Sequence, residues 1–336
     1  MIVVELRMSR AKHRCPRLGG TVGNAVPAPG LSTGTPLQNW TEIPMTAVRV
    51  PLVCVFVLLS VLNSAVRAAE PFFFIQLSDP QLGMFTADRD FTQDTANFEF
   101  AVTAVNRLKP AFVVITGDLV NKPGDAAQIR EYRRIVGTID RSIPVYNVAG
   151  NHDVENVPTP ESLAAYERLF GPARYTFRHG GFTGIVLNSS LIHSPQKAAE
   201  QLAEQDRWLR TELAKARAEN PQHLVVFQHH PWFLKTATEA DEYFNIPTPR
   251  RAAHLALFRE FGVHYLFCGH YHRNAEARDG SIEAVTSGPV GKPLGNGRSG
   301  IRVAIVRDEV IEHRYYELSE LPTTIALAPP APKKKM

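Results

Sequence analysis

The chain has 336 residues, 44% of them hydrophobic, enough for a sizeable core in one large domain or two small ones. Its formal net charge of +4 suggests a nucleic-acid partner, but Arg7, Arg10, Lys12, Arg14, Arg17, Arg49, Arg67 and Lys333–Lys335 carry the excess. Residues 69–332 are mildly acidic, which excludes a basic nucleic-acid footprint on the folded part.

The first 44 residues are rich in Gly, Pro, Thr and Arg and show no hydrophobic period. We read 1–44 as an upstream extension, non-native or disordered. Met45–Arg49 is a short basic start, Val50–Leu62 an apolar run too short for a comfortable membrane span, and Asn63–Ala68 a small-residue site of A-x-A-like character. Residues 45–68 therefore read as a signal peptide that begins at Met45 and is removed after Ala68. The mature protein is expected to be exported, periplasmic or secreted, with no stable membrane anchor. Removal takes Cys15 and Cys54 with it, so Cys268 reads as a small core residue and no intramolecular disulfide is expected. At the other end, 321–336, with Ala328–Pro332 followed by three lysines, reads as a disordered tail.

Between these, 69–320 reads as one domain. The spacing predicts a strand at Phe72–Leu77, a helix at Thr92–Leu108, a strand at Phe112–Thr116, a helix at Ala126–Asp140, a strand at Val145–Ala149 and a helix at Glu161–Phe170. A hairpin follows, Tyr175–Arg178 and Thr183–Leu187 around Gly180-Gly181, then a long helix at Ala199–Ala218 stopped by Asn220-Pro221. Leu224–Phe227 and Tyr265–Cys268 read as strands flanking a helix at Arg250–Phe261. The end is strand-rich, with Ile282–Thr286, Ile301–Val306 and Val310–Tyr316. A βαβαβ first half and a meandering β second half predict an α/β protein of two packed sheets with helices outside.

Five polar motifs each follow an apolar run: Asp79-Pro80-Gln81, Gly117-Asp118, Gly150-Asn151-His152-Asp153, His229-His230-Pro231 and Gly269-His270-Tyr271-His272. In an open α/β sheet, ligands bind outside the carboxyl ends of the strands, so these motifs are expected along one edge. Carboxylate, amide oxygen and imidazole together suit Mn²⁺, Fe or Zn²⁺ better than Ca²⁺ or a thiolate site. A Gly-Asp after a strand is more often a turn, and a lone Asn-His-Asp can cap a helix. The series of five is what favours a metal site.

The same motifs, in this order, resemble the calcineurin-like metallophosphoesterase superfamily over about residues 72–316. Ser78–Gly83, Gly150–Val154, Gln228–Phe233, Tyr243–Asn245, Phe267–Asn274 and His313–Tyr316 are similar to its serine/threonine-phosphatase-like subgroup of calcineurin-like phosphoesterase-domain-containing proteins. The resemblance implies a four-layer αββα sandwich of two mixed sheets, with the metal site at the strand C-terminal edge. It implies one ion held by Asp79, Gln81, Asp118 and His272 and a second held by Asp118, Asn151, His229 and His270. It gives His152 and Asp153 catalytic roles, His152 meeting the phosphate or the leaving group and Asp153 orienting the loop or the imidazole. Gln81 departs from the superfamily pattern, which has His there, but agrees with the subgroup. As a harder donor than imidazole it shifts the expected pair of divalent ions toward Mn²⁺ or Mg²⁺.

The expected activity is hydrolysis of a phosphate ester by a dinuclear site and a bridging hydroxide, on a phosphorylated small-molecule or protein substrate. A monoesterase is expected first. A phosphodiesterase acting on cyclic nucleotides or phospholipid-type diesters is the alternative within the fold, and a non-catalytic metal-binding scaffold the alternative outside it.

Overall fold

The alternation within Phe72–Leu77 already sorts side chains to two sides of a strand, because successive residues point to opposite faces. The computed structural model describes residues 70–308 and 310–328. The segments expected to be an upstream extension, 1–44, and a signal peptide, 45–68, and residues 329–336 of the expected tail lie outside the described residues. Strands β1 (Phe72–Leu77), β2 (Val113–Ile115), β3 (Val145–Asn147), β10 (Gly300–Val306) and β11 (Ile311–Glu317) form one sheet in the order β11-β10-β1-β2-β3. The second sheet has the order β4-β5-β6-β7-β9-β8, from β4 (Tyr175–His179), β5 (Phe182–Val186), β6 (His223–Phe227), β7 (Tyr265–Cys268), β8 (Ala275–Asp279) and β9 (Ile282–Thr286). Both sheets are mixed: β1-β2-β3 and β5-β6-β7-β9 run parallel, with antiparallel partners at the edges.

Three hydrophobic layers follow from the alternation. Phe74 and Val114 face Phe177, Phe182, Phe227 and Phe267 between the sheets. Phe74 stacks on Phe112 at 5.0 Å and meets Phe227 and Phe267 edge-on at 5.7 and 5.3 Å. Burial of each such ring contributes about 1.5–3 kcal/mol. On the outer side of the first sheet, Phe73, Ile75, Leu77, Val113 and Ile115 pack with Phe98, Val102 and Val105 of α1 (Thr92–Leu108) and Ile129 and Ile135 of α2 (Ala126–Val136). Outside the second sheet, Leu224, Val226 and Leu266 pack with Leu209 and Leu213 of α6 (Ala199–Glu219) and Leu255 and Phe258 of α7 (Thr248–Phe261). The αββα sandwich expected from the sequence is the observed one.

The remaining helices are α3 (Asn151–Val154), α4 (Pro160–Phe170) and α5 (Ser189–His193). Four features differ from the sequence reading. Helix α2 ends at Val136, where Gly137 caps it, and does not reach Asp140. Strand β8 was not anticipated; its Ala, Glu and Arg carry no β pattern, and pairing with β9 across the Asp279-Gly280 turn makes it a strand. Arg251, at the start of the expected helix and of a type that rarely loses all its exposure, is fully buried. Within 321–328, Leu321, Ile325 and Leu327 lie against the outer layer of the first sheet, and Arg107 bonds the Pro322 carbonyl at 2.9 Å.

Candidate metal centre

Each motif begins where a strand stops. Asp79 and Gln81 follow β1, Asp118 follows β2, Asn151 opens α3 after β3, His229 follows β6, and His270 and His272 follow β7. The two sheets meet beneath them: Gln76 of β1 donates to Thr116 Oγ1 at 3.0 Å and to the Cys268 carbonyl at 2.9 Å, tying the first sheet to β7. All seven side chains that the sequence nominated as ligands are buried.

They converge in two groups with Asp118 in common. Asp118, His229 and His270 bring donor atoms within 4.8 Å of one another, and so do Asp79, Asp118 and His272. His229 Nε2 is 3.2 Å from Asp118 Oδ2, 3.0 Å from Asn151 Oδ1 and 3.1 Å from His270 Nδ1. His272 Nε2 is 3.4 Å from Asp79 Oδ1. Asn151 donates its amide to Asn156 Oδ1 at 2.8 Å, which leaves the Asn151 oxygen for His229 or a cation. Gln81 donates Nε2 to Asn121 at 3.1 Å, while its Oε1 is buried without a hydrogen-bond partner. A buried, unbonded amide oxygen is costly unless something polar occupies its lone pairs, and a hard divalent cation does so.

Imidazole tautomers are fixed by backbone carbonyls, which only accept. His229 Nδ1 donates to Thr116 O at 2.8 Å, His272 Nδ1 to Lys292 O at 2.6 Å, His270 Nε2 to Tyr243 O at 3.2 Å and His152 Nδ1 to Asn121 O at 2.6 Å. Each ligand-type histidine is thereby left with its other nitrogen toward the carboxylates, the arrangement that metal-bound histidines adopt. Sequence reasoning missed all four carbonyls, and no residue type could have signalled them.

The electrostatics agree with a site built for cations. Burial alone would raise the Asp118 carboxyl, but the facing His229, His152 and His270 hold it below the usual carboxylate range. Asp79 is lowered in the same way, against its burial, by His272 and His229. His229, despite burial, is pushed up to about 9 by Asp118 and Asp79, and His272 is raised by Asp79. Burial and the charge on His229 push His270 down to about 3.

The backbone is also committed. Asp79, Gln81, Asp118, His270 and His272 all have positive φ, between 37° and 65°. Five non-glycine residues in the left-handed region cost energy that packing elsewhere must offset, and such residues cluster at functional sites. The motif glycines admit close approach: a Cβ on Gly150 would overlap the Asp118 amide and carboxylate, and one on Gly117 would overlap the His229 ring.

His152 lies beside this set, half-buried, its amide donating to Asp118 Oδ1 at 2.9 Å. Of the two parts open to Asp153, the loop and the imidazole, the contacts are those of the loop. Its carboxylate accepts from the amides of Gly150 at 2.8 Å, Leu119 at 2.9 Å and Val120 at 3.3 Å, and makes no bond to the His152 ring. It joins the loops after β2 and β3 and acts as a positioning residue. His230 bonds Ser189 Oγ at 3.0 Å and stacks between His193 and His270 at 4.7 and 4.3 Å. Burial keeps its imidazole neutral.

The family description "Calcineurin-like phosphoesterase" matches residues 74–274. The chain is 40% identical over 266 residues to "Serine/threonine-protein phosphatase CPPED1" of Bos taurus, covering 75% of this chain and 85% of that protein. Among solved structures it is similar to a dimetal phosphatase from Danio rerio, with a TM-score of 0.53 and 16% identity over 73% of this chain and 99% of that one. It is also similar to the purple acid phosphatase PPD1 from yellow lupin (Lupinus luteus), with a TM-score of 0.56 and 14% identity over 76% of this chain and 52% of that one.

Proposed function

This chain belongs to the calcineurin-like phosphoesterase family and is a hydrolase of phosphoric esters; from that premise we propose that it is a two-metal phosphomonoesterase acting on a phosphorylated small molecule or protein. The observation that carries this reading is the sharing of Asp118 by two buried donor groups, Asp79 with His272 and His229 with His270. Asp79, Gln81, Asp118 and His272 would hold one ion, and Asp118, Asn151, His229 and His270 the other. With oxygen donors supplying most of the first set, Mn²⁺ is the ion we assign. When bound, the pair supplies Lewis acidity toward the phosphoryl oxygens and activates a water for attack on phosphorus.

The chain's own residues do the rest. The Thr116, Tyr243 and Lys292 carbonyls keep the ligand nitrogens aimed without reorganisation. His152, with Nδ1 committed to Asn121, has Nε2 left for the substrate. As the bond from phosphorus to the leaving oxygen breaks, a protonated His152 gives its Nε2 proton to that oxygen, so that an alcohol departs and the imidazole becomes neutral. Asp153 keeps the His152 turn beside Asp118 through the Gly150, Leu119 and Val120 amides.

The test is turnover of p-nitrophenyl phosphate by chelator-treated protein before and after Mn²⁺ is restored, with bis-p-nitrophenyl phosphate alongside. Turnover is expected only with the metal and mainly on the monoester. It should fall by about a hundredfold or more in His152→Ala and in Asp118→Asn. Wild-type rates in both variants would overturn the reading, and a strong preference for the diester would overturn its monoesterase part.

A further inference from the structure

The segment from Lys235 to Pro247 has no regular secondary structure, yet it is heavily bonded. Glu239 accepts the amides of Leu234 at 2.8 Å, Lys235 at 2.7 Å and Thr236 at 3.1 Å. Asn245, buried, donates to Glu239 Oε1 and to the Ala240 carbonyl at 2.9 Å each, and accepts the Glu242 amide at 2.9 Å. Arg251, also buried, donates to the Glu239 carbonyl and to Asp241 Oδ1 at 2.9 Å. The Ile246 amide bonds the Pro231 carbonyl at 2.9 Å, fastening the segment to the His229–Pro231 motif. The half-buried Glu239 and the buried Asn245 and Arg251 thus define the shape of this loop.

What the loop holds in place is Tyr243. Its carbonyl accepts from His270 Nε2 at 3.2 Å, and its ring lies 4.9 Å from the His270 ring. Its hydroxyl is 3.5 Å from Asn151 Nδ2. The side chain is nevertheless 54% exposed, one of three large apolar or aromatic residues so exposed among the described residues. The neighbouring Phe244, half-buried, packs 5.6 Å from the His270 ring and 5.2 Å from Tyr271, and lines a cavity of about 180 Å³ with Arg273 and Lys235. Tyr243, the exposed member of this pair, therefore stands at the solvent side of the donor groups. With the Asn151 amide pointing at the phenol oxygen, that oxygen acts as acceptor and the phenolic hydrogen is free to be donated elsewhere.

We propose that Tyr243 is a substrate-contacting residue whose phenol donates a hydrogen bond to a non-bridging oxygen of the phosphoryl group held at the metal centre. The inference rests on the two-metal reading given above. A phosphoryl group seated over Asp118 and Asn151 presents anionic oxygens on the side where the phenol stands. A neutral donor to an anionic oxygen is stronger than a neutral pair and contributes most as charge builds up in the transition state. Because the loop is already ordered by Glu239, Asn245 and Arg251, the contact requires no further ordering of this segment on binding.

The experiment compares wild type, Tyr243→Phe and Tyr243→Ala in three measurements: metal content, affinity for inorganic phosphate by calorimetry on the Mn²⁺-loaded protein, and kcat and KM for p-nitrophenyl phosphate. Tyr243→Phe keeps the ring and the backbone carbonyl and removes only the hydroxyl. It should retain full metal content, bind phosphate about tenfold more weakly, and lose about ten- to a hundredfold in kcat/KM. Wild-type phosphate affinity in Tyr243→Phe would overturn the proposal. So would a fall in metal content, which would mean that the residue acts through His270 and not on the substrate. If wild type showed no metal-dependent turnover, the hydrolase mechanism would fail on its own, and the phosphate affinities would still decide the contact.

Discussion

Metal binding to this protein should expel a proton, and the number can be worked from His229. His229 Nε2 faces Asp118 Oδ2 at 3.2 Å and its Nδ1 faces the Thr116 carbonyl at 2.8 Å, with Asp79 Oδ1 3.9 Å away. Both ring nitrogens thus have oxygen acceptors, and the imidazole is pushed up to about 9. At pH 7.5 such a group is almost fully protonated, so a cation arriving at His229 displaces about one proton; an imidazole at 6.5 would lose about a tenth of one. His272, also raised, adds a further fraction, and His270, pushed down to about 3, adds none. The raised pKa stabilises the metal-free fold, by about 3 kcal/mol at most, fully below pH 6.5, and this is lost as pH rises through about 9. Metal affinity runs the opposite way and should rise about tenfold per pH unit up to about pH 9. The assay is calorimetric titration of Mn²⁺ into chelator-treated protein at pH 7.5 in two buffers of different ionisation enthalpy, where the change in observed heat reports the protons released. No release at pH 7.5, or an affinity that does not change between about pH 6.5 and 8.5, would refute the assignment of His229 as a proton-loaded ligand.

Two further outcomes test the packing around the site. Gly150→Ala should lower metal content and cost about 1–3 kcal/mol, because its Cβ would overlap Asp118. Gly180→Ala, in open space at φ +55°, should cost about 1 kcal/mol in strain and leave metal content unchanged, so equal metal loss in the two variants would contradict the steric argument. Asp94, in the first turn of α1, is buried with neither carboxylate oxygen in a well-formed hydrogen bond, and burial pushes it up to about 6, the Gly83 and Phe85 amides offsetting this only in part. A raised carboxyl favours the fold at low pH and weakens it as pH climbs from about 4 through 6. Asp94→Asn should therefore gain about 1–2 kcal/mol relative to wild type between pH 4 and 7.5, read from urea unfolding, and a difference that stays constant with pH would rule this out.

Much of the sandwich was legible because its central strands are buried on both faces, and runs such as Phe72–Leu77 and Tyr265–Cys268 carry that burial in their composition. Helices α1 and α6 announced themselves by length and period. Strand β8 was not legible, since Ala275–Asp279 becomes a strand only through its partner β9. Nor was the burial of Arg251, because its partners Glu239 and Asp241 lie on a loop with no pattern of its own. The part assigned to Asp153 shows the same limit: the motif identifies a carboxylate next to His152, and only the tertiary contacts direct it to three backbone amides.

The sequence by itself determined which side chains could bind cations and that each follows a strand, since donor chemistry belongs to residue types and strand ends are marked by where apolar runs stop. Only the tertiary structure decided which nitrogen of each histidine faces inward, that the Asp153 carboxylate goes to the loop amides, and that Tyr243 stands beside the donor groups. Those facts depend on backbone carbonyls at Thr116, Asn121, Tyr243 and Lys292 and on left-handed turns at Asp79, Gln81, Asp118, His270 and His272. Every residue carries a carbonyl, so the sequence gives no sign of which ones will receive a histidine until the two sheets have brought their strand ends together.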